Sequence, residues 1–204
     1  MNEIVWAGHA DRGAVADHLA GVVTRPGPRR IAVPGGSTPA PILHCLARRE
    51  LGHARANVTL TDDRLVPHDH PASNFRLLSE SLGDTPLHLQ PLAPGDRPGR
   101  FDLVWIGMGG DGHIASIFPS AADGLVDGDA AVRTMPHPLP PEAPFERVTL
   151  PLAALLDAEE LILVIRGPEK RALLEAALRR DHNLPIAMLL ERLTTPLTIY
   201  WSEQ

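Results

Sequence analysis

Asp111 and His113 stand two residues apart in a glycine-rich stretch, Gly107-Met108-Gly109-Gly110-Asp111-Gly112-His113. Histidine has a near-neutral intrinsic pKa, so beside a carboxylate on a tight turn it can take or give a proton at pH 7. Residues 103–106 are a continuous apolar run, and those after the glycines suit a helix start, which predicts strand, turn and helix in succession. Glycines let the backbone approach a ligand closely, and amides at a helix N-terminus attract anions and oxyanions. Two other readings of this stretch exist. Gly107, Gly109 and Gly112 satisfy the dinucleotide pattern GxGxxG, which wants an acidic residue about 20 positions on, at the end of the next strand. Asp127 and Asp129 fall in a Gly/Asp loop instead, and Asp111 would repel a pyrophosphate. The plainer alternative is a structural turn in which His113 caps a helix.

Three more junctions carry polar groups directly after predicted strands. Residues 31–33 run into Pro34-Gly35-Gly36-Ser37-Thr38-Pro39 and then a helix to about Arg49. The Gly36, Ser37 and Thr38 amides can form an anion nest with two hydroxyls as further donors, or Ser37 or Thr38 can simply cap the helix ahead of Pro39. Residues 58–60 end in Thr61-Asp62-Asp63-Arg64, where ligands bind in open α/β sheets. Residues 161–165 lead into Gly167-Pro168-Glu169-Lys170 and a helix to about Arg180. There Lys170 opposes the helix dipole, unless water or a bound anion compensates. Because they follow parallel strands, the junctions at Gly35, Asp62, Gly107 and Gly167 should gather at one sheet edge, with Arg147 at the mouth of the strand-like 147–150.

The elements that must position these groups read as βαβαβ followed by further βα units. Strands are expected at 4–7, 87–89, 130–135 and 197–201, and helices at 10–23, 73–82 with Ser73 as cap, 152–156 and 184–190. Five prolines keep 136–144 extended. Short connections imply an α/β fold, a largely parallel Rossmann-like sheet with helices on both faces, in a single domain over 1–204. A net charge of -6, with basic residues clustered only as Arg29-Arg30, Arg48-Arg49 and Arg179-Arg180, argues against nucleic acid as a partner. The lone Cys45 excludes an intramolecular disulfide and reads as a buried thiol. His68, Asp69 and His70 lack a second cluster with ligand spacing, so no metal is expected. With neither a leader-like N-terminus nor an apolar run of about 18 residues, a cytoplasmic protein without a membrane partner is expected.

Five ordered motifs together resemble the 6-phosphogluconolactonase family. They are Gly35-Gly36-Ser37-Thr38-Pro39; Asp62-Asp63-Arg64 with Val66-Pro67, His70, Ser73 and Asn74; Gly107-Met108-Gly109 with Asp111-Gly112-His113, Ala115-Ser116 and Phe118-Pro119; Arg147-Val148-Thr149-Leu150; and Gly167-Pro168-Glu169-Lys170. The resemblance covers roughly 31–178, with Asp63 replacing a more usual glutamate, Gly110 a more usual proline, and a short C-terminus. It implies a fold shared with glucosamine-6-phosphate deaminases and ribose-5-phosphate isomerases. The implied activity is hydrolysis of 6-phosphoglucono-1,5-lactone to 6-phosphogluconate in the oxidative pentose phosphate pathway. Deaminases share several of these turns, but Arg64 stands where they carry tyrosine and Phe118 where they carry the glutamate that orients their histidine.

On this resemblance His113 is the general base on water, and Asp111 orients the turn or biases His113 toward its protonated state. Arg64 or turn amides stabilise the oxyanion. Gly35, Gly36, Ser37 and Thr38, with Arg147 and Lys170, hold the phosphate, and Asp62 binds sugar hydroxyls. No metal, cofactor or covalent intermediate is needed. A non-catalytic sugar-phosphate sensor would keep the grip and have no need of His113; monomer and dimer both stay open.

Overall fold

A computed structural model describes residues 3–140 and 143–203. In chain order the elements are β1 (Ile4–Trp6), α1 (Arg12–Val23), β2 (Pro28–Val33), α2 (Pro39–Ala47), β3 (Arg55–Leu60), β4 (Asp62–Arg64), α3 (Asn74–Leu82), β5 (His88–Leu89) and β6 (Phe101–Gly107). A 3-10 turn (Ala122–Leu125) follows, then β7 (Val132–Thr134), β8 (Arg147–Thr149), α4 (Leu152–Leu156), β9 (Ala158–Arg166), α5 (Pro168–Leu178), α6 (Pro185–Arg192) and β10 (Leu197–Ser202).

Seven strands form a parallel sheet in the order β1-β10-β9-β6-β2-β3-β5. Its central strands β6 and β9 are near-continuous apolar runs because helices cover both faces; Leu103, Val104, Trp105, Ile106 and Leu161 through Ile165 are all buried. From β2 the chain steps outward through β3 to β5, whereas β6, β9 and β10 step the opposite way. Right-handed crossovers therefore place α1, α2 and α3 on one face and α5 and α6 on the other. Packing agrees, with α1 against α2, α2 against α3, and α5 against α6. Where the direction reverses, between β2 and β6, the strand ends open a crevice, the usual ligand site of such sheets.

Three expectations are corrected. No helix follows β6: Met108 pairs with Ile114 in an isolated bridge, and positive φ at Gly112 (79°) and Ala115 (47°) curls the chain out of any helical path. Asp62–Arg64 is not the tail of β3 but a strand of a second, antiparallel sheet, β4-β8-β7. In its register Asp62 faces Thr149 and Arg64 faces Arg147. Ser73 does cap α3, accepting from Arg76 N at 3.2 Å, whereas Thr38, the N-cap of α2, makes no side-chain cap bond. Cys45 is half-buried rather than buried. Among the described residues no helix is long and apolar enough to cross a membrane, and no three His, Cys, Asp or Glu side chains are grouped to hold a metal ion.

Candidate active site

The crevice opens into a cavity of about 400 Å³. Gly35, Gly36, Ser37 and Thr38 enter it from the turn after β2, Asp62 and Arg64 from β4, His113 from the turn after β6, Arg147 from β8 and Lys170 from α5. Asp111 is the one sequence-predicted site residue not lining the cavity; it touches His113 instead.

Asp111 Oδ1 lies 2.5 Å from His113 Nδ1 and also accepts from the His113 backbone N–H at 3.2 Å. The hydrogen bond from His113 outweighs burial and holds the Asp111 carboxyl at about 2. An ionised carboxylate can only accept, so Nδ1 carries the proton and a neutral imidazole keeps its lone pair on Nε2. The His113 ring also packs against Phe118, with centroids 5.0 Å apart. Beneath it the turn is closed by Gly109 N–H donating to His113 O at 2.9 Å. A Cβ at Gly109 would lie 2.2 Å from His113 Cε1 and 2.3 Å from Nδ1. The ring thus occupies the space a side chain would need.

Opposite in register on the small sheet, Arg64 and Arg147 form a cationic wall. Arg147, only 5% exposed, donates from Nε to Phe145 O (3.2 Å) and from Nη2 to Ala143 O (3.0 Å). Burial, aided by the neighbouring Arg64 charge, pushes its pKa down. Arg64 donates from Nη1 to Ala72 O at 2.8 Å, while its Nε is buried with no acceptor among the described residues. Neither arginine is in an ion pair among those residues. Like charges directly opposite on two strands repel, so this wall gains from an anion beside it. Lys170 Nζ donates to Met108 O at 2.6 Å, which ties it to the turn carrying His113. Burial lowers its pKa, and the Asp111 charge partly offsets this.

Strand alternation separates the two adjacent aspartates. Asp62 shares the cavity side of β4 with Arg64. Asp63 takes the other side and accepts from the N–H groups of Arg64 (2.7 Å), Asn74 (2.6 Å) and Phe75 (3.0 Å), closing the start of α3. Burial still pushes its carboxyl up. Asn74 Nδ2 donates to Asp62 O at 3.0 Å, and its side chain fills the place of a Cβ on Gly35, 2.0 Å from where that atom would stand. Glycine at 35 is what lets the turn after β2 lie against α3.

The family described as glucosamine-6-phosphate isomerases/6-phosphogluconolactonase matches residues 9–97 and 87–199. The chain belongs to this family. A 6-phosphogluconolactonase of Neisseria meningitidis is 33% identical over 213 residues, covering 93% of this chain and 92% of that one. The crystal structure of a 6-phosphogluconolactonase from Shewanella baltica superposes with a TM-score of 0.82 at 27% identity, covering 99% of this chain and 98% of the other. A monomeric glucosamine-6-phosphate deaminase reaches a TM-score of 0.81 at 13% identity, with 98% of each chain covered, a likeness of fold alone. Fold alone therefore does not tell a lactonase from that deaminase.

Sequence reasoning assigned no role to Asn74 or Ser116, although both stood in the motifs. Each lines the cavity and reaches Asp62, Asn74 at the backbone and Ser116 through its hydroxyl. Neither bears a charge, and the contact that gives Ser116 its place spans 54 residues of chain.

Proposed function

We propose that the chain is one sugar-phosphate lactonase domain that hydrolyses 6-phosphoglucono-1,5-lactone to 6-phosphogluconate, with His113 as general base. The observation carrying this reading is that His113, its Nδ1 held by Asp111, shares a cavity with Arg64, Arg147 and Lys170. His113 Nε2 removes a proton from water as the oxygen adds to the C1 carbonyl. Arg64 and turn amides stabilise the resulting oxyanion. As the oxyanion collapses, the C1–O5 bond breaks and the imidazolium returns its proton to O5. Asp111 keeps the ring in the required tautomer and steadies its positive charge between these steps. Gly36, Ser37 and Thr38 with Lys170 and Arg147 grip the 6-phosphate, and Gly35 gives that turn its close approach. Asp62 accepts from sugar hydroxyls.

Phe118 favours this activity over deamination. It lines the cavity against His113 and offers no carboxylate to orient a ring-opening histidine. Lactones hydrolyse slowly unaided, so one positioned base and one oxyanion donor, each contributing about 10²–10³ in rate, are sufficient. The test follows lactone decay above the spontaneous rate. Decay by a His113→Ala variant as fast as by the parent removes the base role, and ammonia release from glucosamine 6-phosphate would favour the deaminase reading.

A further inference from the structure

Among the described residues lining the cavity Asp62 is the only acid, and it stands on the same side of β4 as Arg64. Its negative field reaches the Arg147 guanidinium. A carboxylate free to rotate on a cavity wall that it shares with two arginines tends to close onto a guanidinium as a charge-assisted, often bidentate pair. That does not happen here. The Asp62 oxygens are taken by two hydroxyls, Oδ2 by Ser116 Oγ at 2.5 Å and Oδ1 by Thr61 Oγ1 at 3.2 Å. The arginine donors go instead to the carbonyls of Ala72, Ala143 and Phe145. Ser116 is itself held: it is 1% exposed, follows the left-handed Ala115, and donates its N–H to Thr149 Oγ1 at 3.2 Å.

We infer that Ser116 is a positioning residue whose hydroxyl keeps the Asp62 carboxylate from closing onto Arg64 and Arg147, so that the cavity stays open to a phosphate-bearing ligand. The inference rests on the phosphate grip proposed above. Physically, a hydrogen bond of 2.5 Å to an ionised oxygen lies at the strong end of its class, and it costs no charge at the cavity wall. Removing the hydroxyl leaves Asp62 one short of its donors in a cavity it shares with Arg64 and Arg147. The carboxylate then becomes an internal competitor for the ligand's anionic group.

The test is calorimetric titration of inorganic phosphate into the full chain, with kcat and KM for the lactone measured in parallel. Ser116→Ala should weaken phosphate binding by roughly tenfold or more, and raise KM more than it lowers kcat. The double variant Ser116→Ala/Asp62→Asn should return phosphate affinity to within about threefold of the parent, because a neutral amide does not compete for a guanidinium. Should Ser116→Ala fail to fold, Thr61→Val frees the other oxygen and must weaken phosphate binding in the same direction. Unchanged phosphate affinity in the alanine variant overturns the inference, as does a double variant no better than the single or a parent that binds no phosphate. Phosphate results as expected with no lactone turnover by the parent would overturn the function and leave the role of Ser116 standing.

Discussion

Replacing Gly109 by alanine tests whether the position of the His113 ring sets the rate. The added Cβ would stand 2.2 Å from His113 Cε1, 2.3 Å from Nδ1 and 2.8 Å from Asp111 Oδ1, where ordinary contact begins at 3.4 Å. Gly109 is not among the residues with positive φ, so its backbone accepts alanine and the imidazole must yield. The ring retreats by about 1.2 Å or swings off Asp111, and a misplacement near 1 Å costs roughly 10² in rate. We expect kcat for the lactone to fall about 100-fold while KM changes little, since the proposed phosphate grip lies on other elements. Gly110→Ala is the control: its Cβ meets nothing within 4 Å, and it should behave as the parent. Thermal melting of both variants verifies folding. A Gly109→Ala enzyme that keeps kcat within about threefold of the parent, well inside that loss, refutes the reasoning.

Lys170→Met should raise KM at least about tenfold with a much smaller change in kcat, and an unchanged KM removes Lys170 from the phosphate site. Because burial lowers the folded-state pKa of Lys170, the unfolded chain holds more protons just below 10.5 and parent stability climbs with pH there; the methionine variant should lack that climb in denaturant titrations. The Asp111 carboxyl titrates at about 2 when folded against an ordinary 3.8, so its contribution to stability is complete above about pH 4 and disappears as pH falls through 2. Melting points of parent and Asp111→Asn should therefore differ at about pH 4 and converge as pH falls through 2; a gap that does not narrow over that acid range contradicts the assignment. Asp63→Ala strips the acceptor from the N–H groups of Arg64, Asn74 and Phe75 and should cost about 2–4 kcal/mol in urea unfolding, whereas a near-neutral result would deny Asp63 its part in closing α3.

Much of this architecture was legible along the chain because its signals are local. The apolar runs at 103–106 and 161–165, short and closed by glycine, fit strands covered on both faces, and the glycine turns after them follow from the backbone freedom of that residue. The helix expected after the Asp111–His113 turn failed because helix propensity is a weak prior. There the chain spends Gly112 and Ala115 in left-handed geometry to bring His113 back over Gly109.

Residue types and their order determined that this chain builds a parallel α/β sheet with a histidine, a Gly-Gly-Ser-Thr turn and three cations gathered around its strand ends. Which of two neighbouring aspartates faces the cavity was decided only in three dimensions. Pairing of β4 with β8 sets Arg64 against Arg147 across 83 positions of chain, and the two-residue alternation of a strand then sends Asp62 inward and Asp63 to the start of α3. Strand register is a long-range choice made by packing, and no local pattern in Asp62-Asp63-Arg64 encodes it.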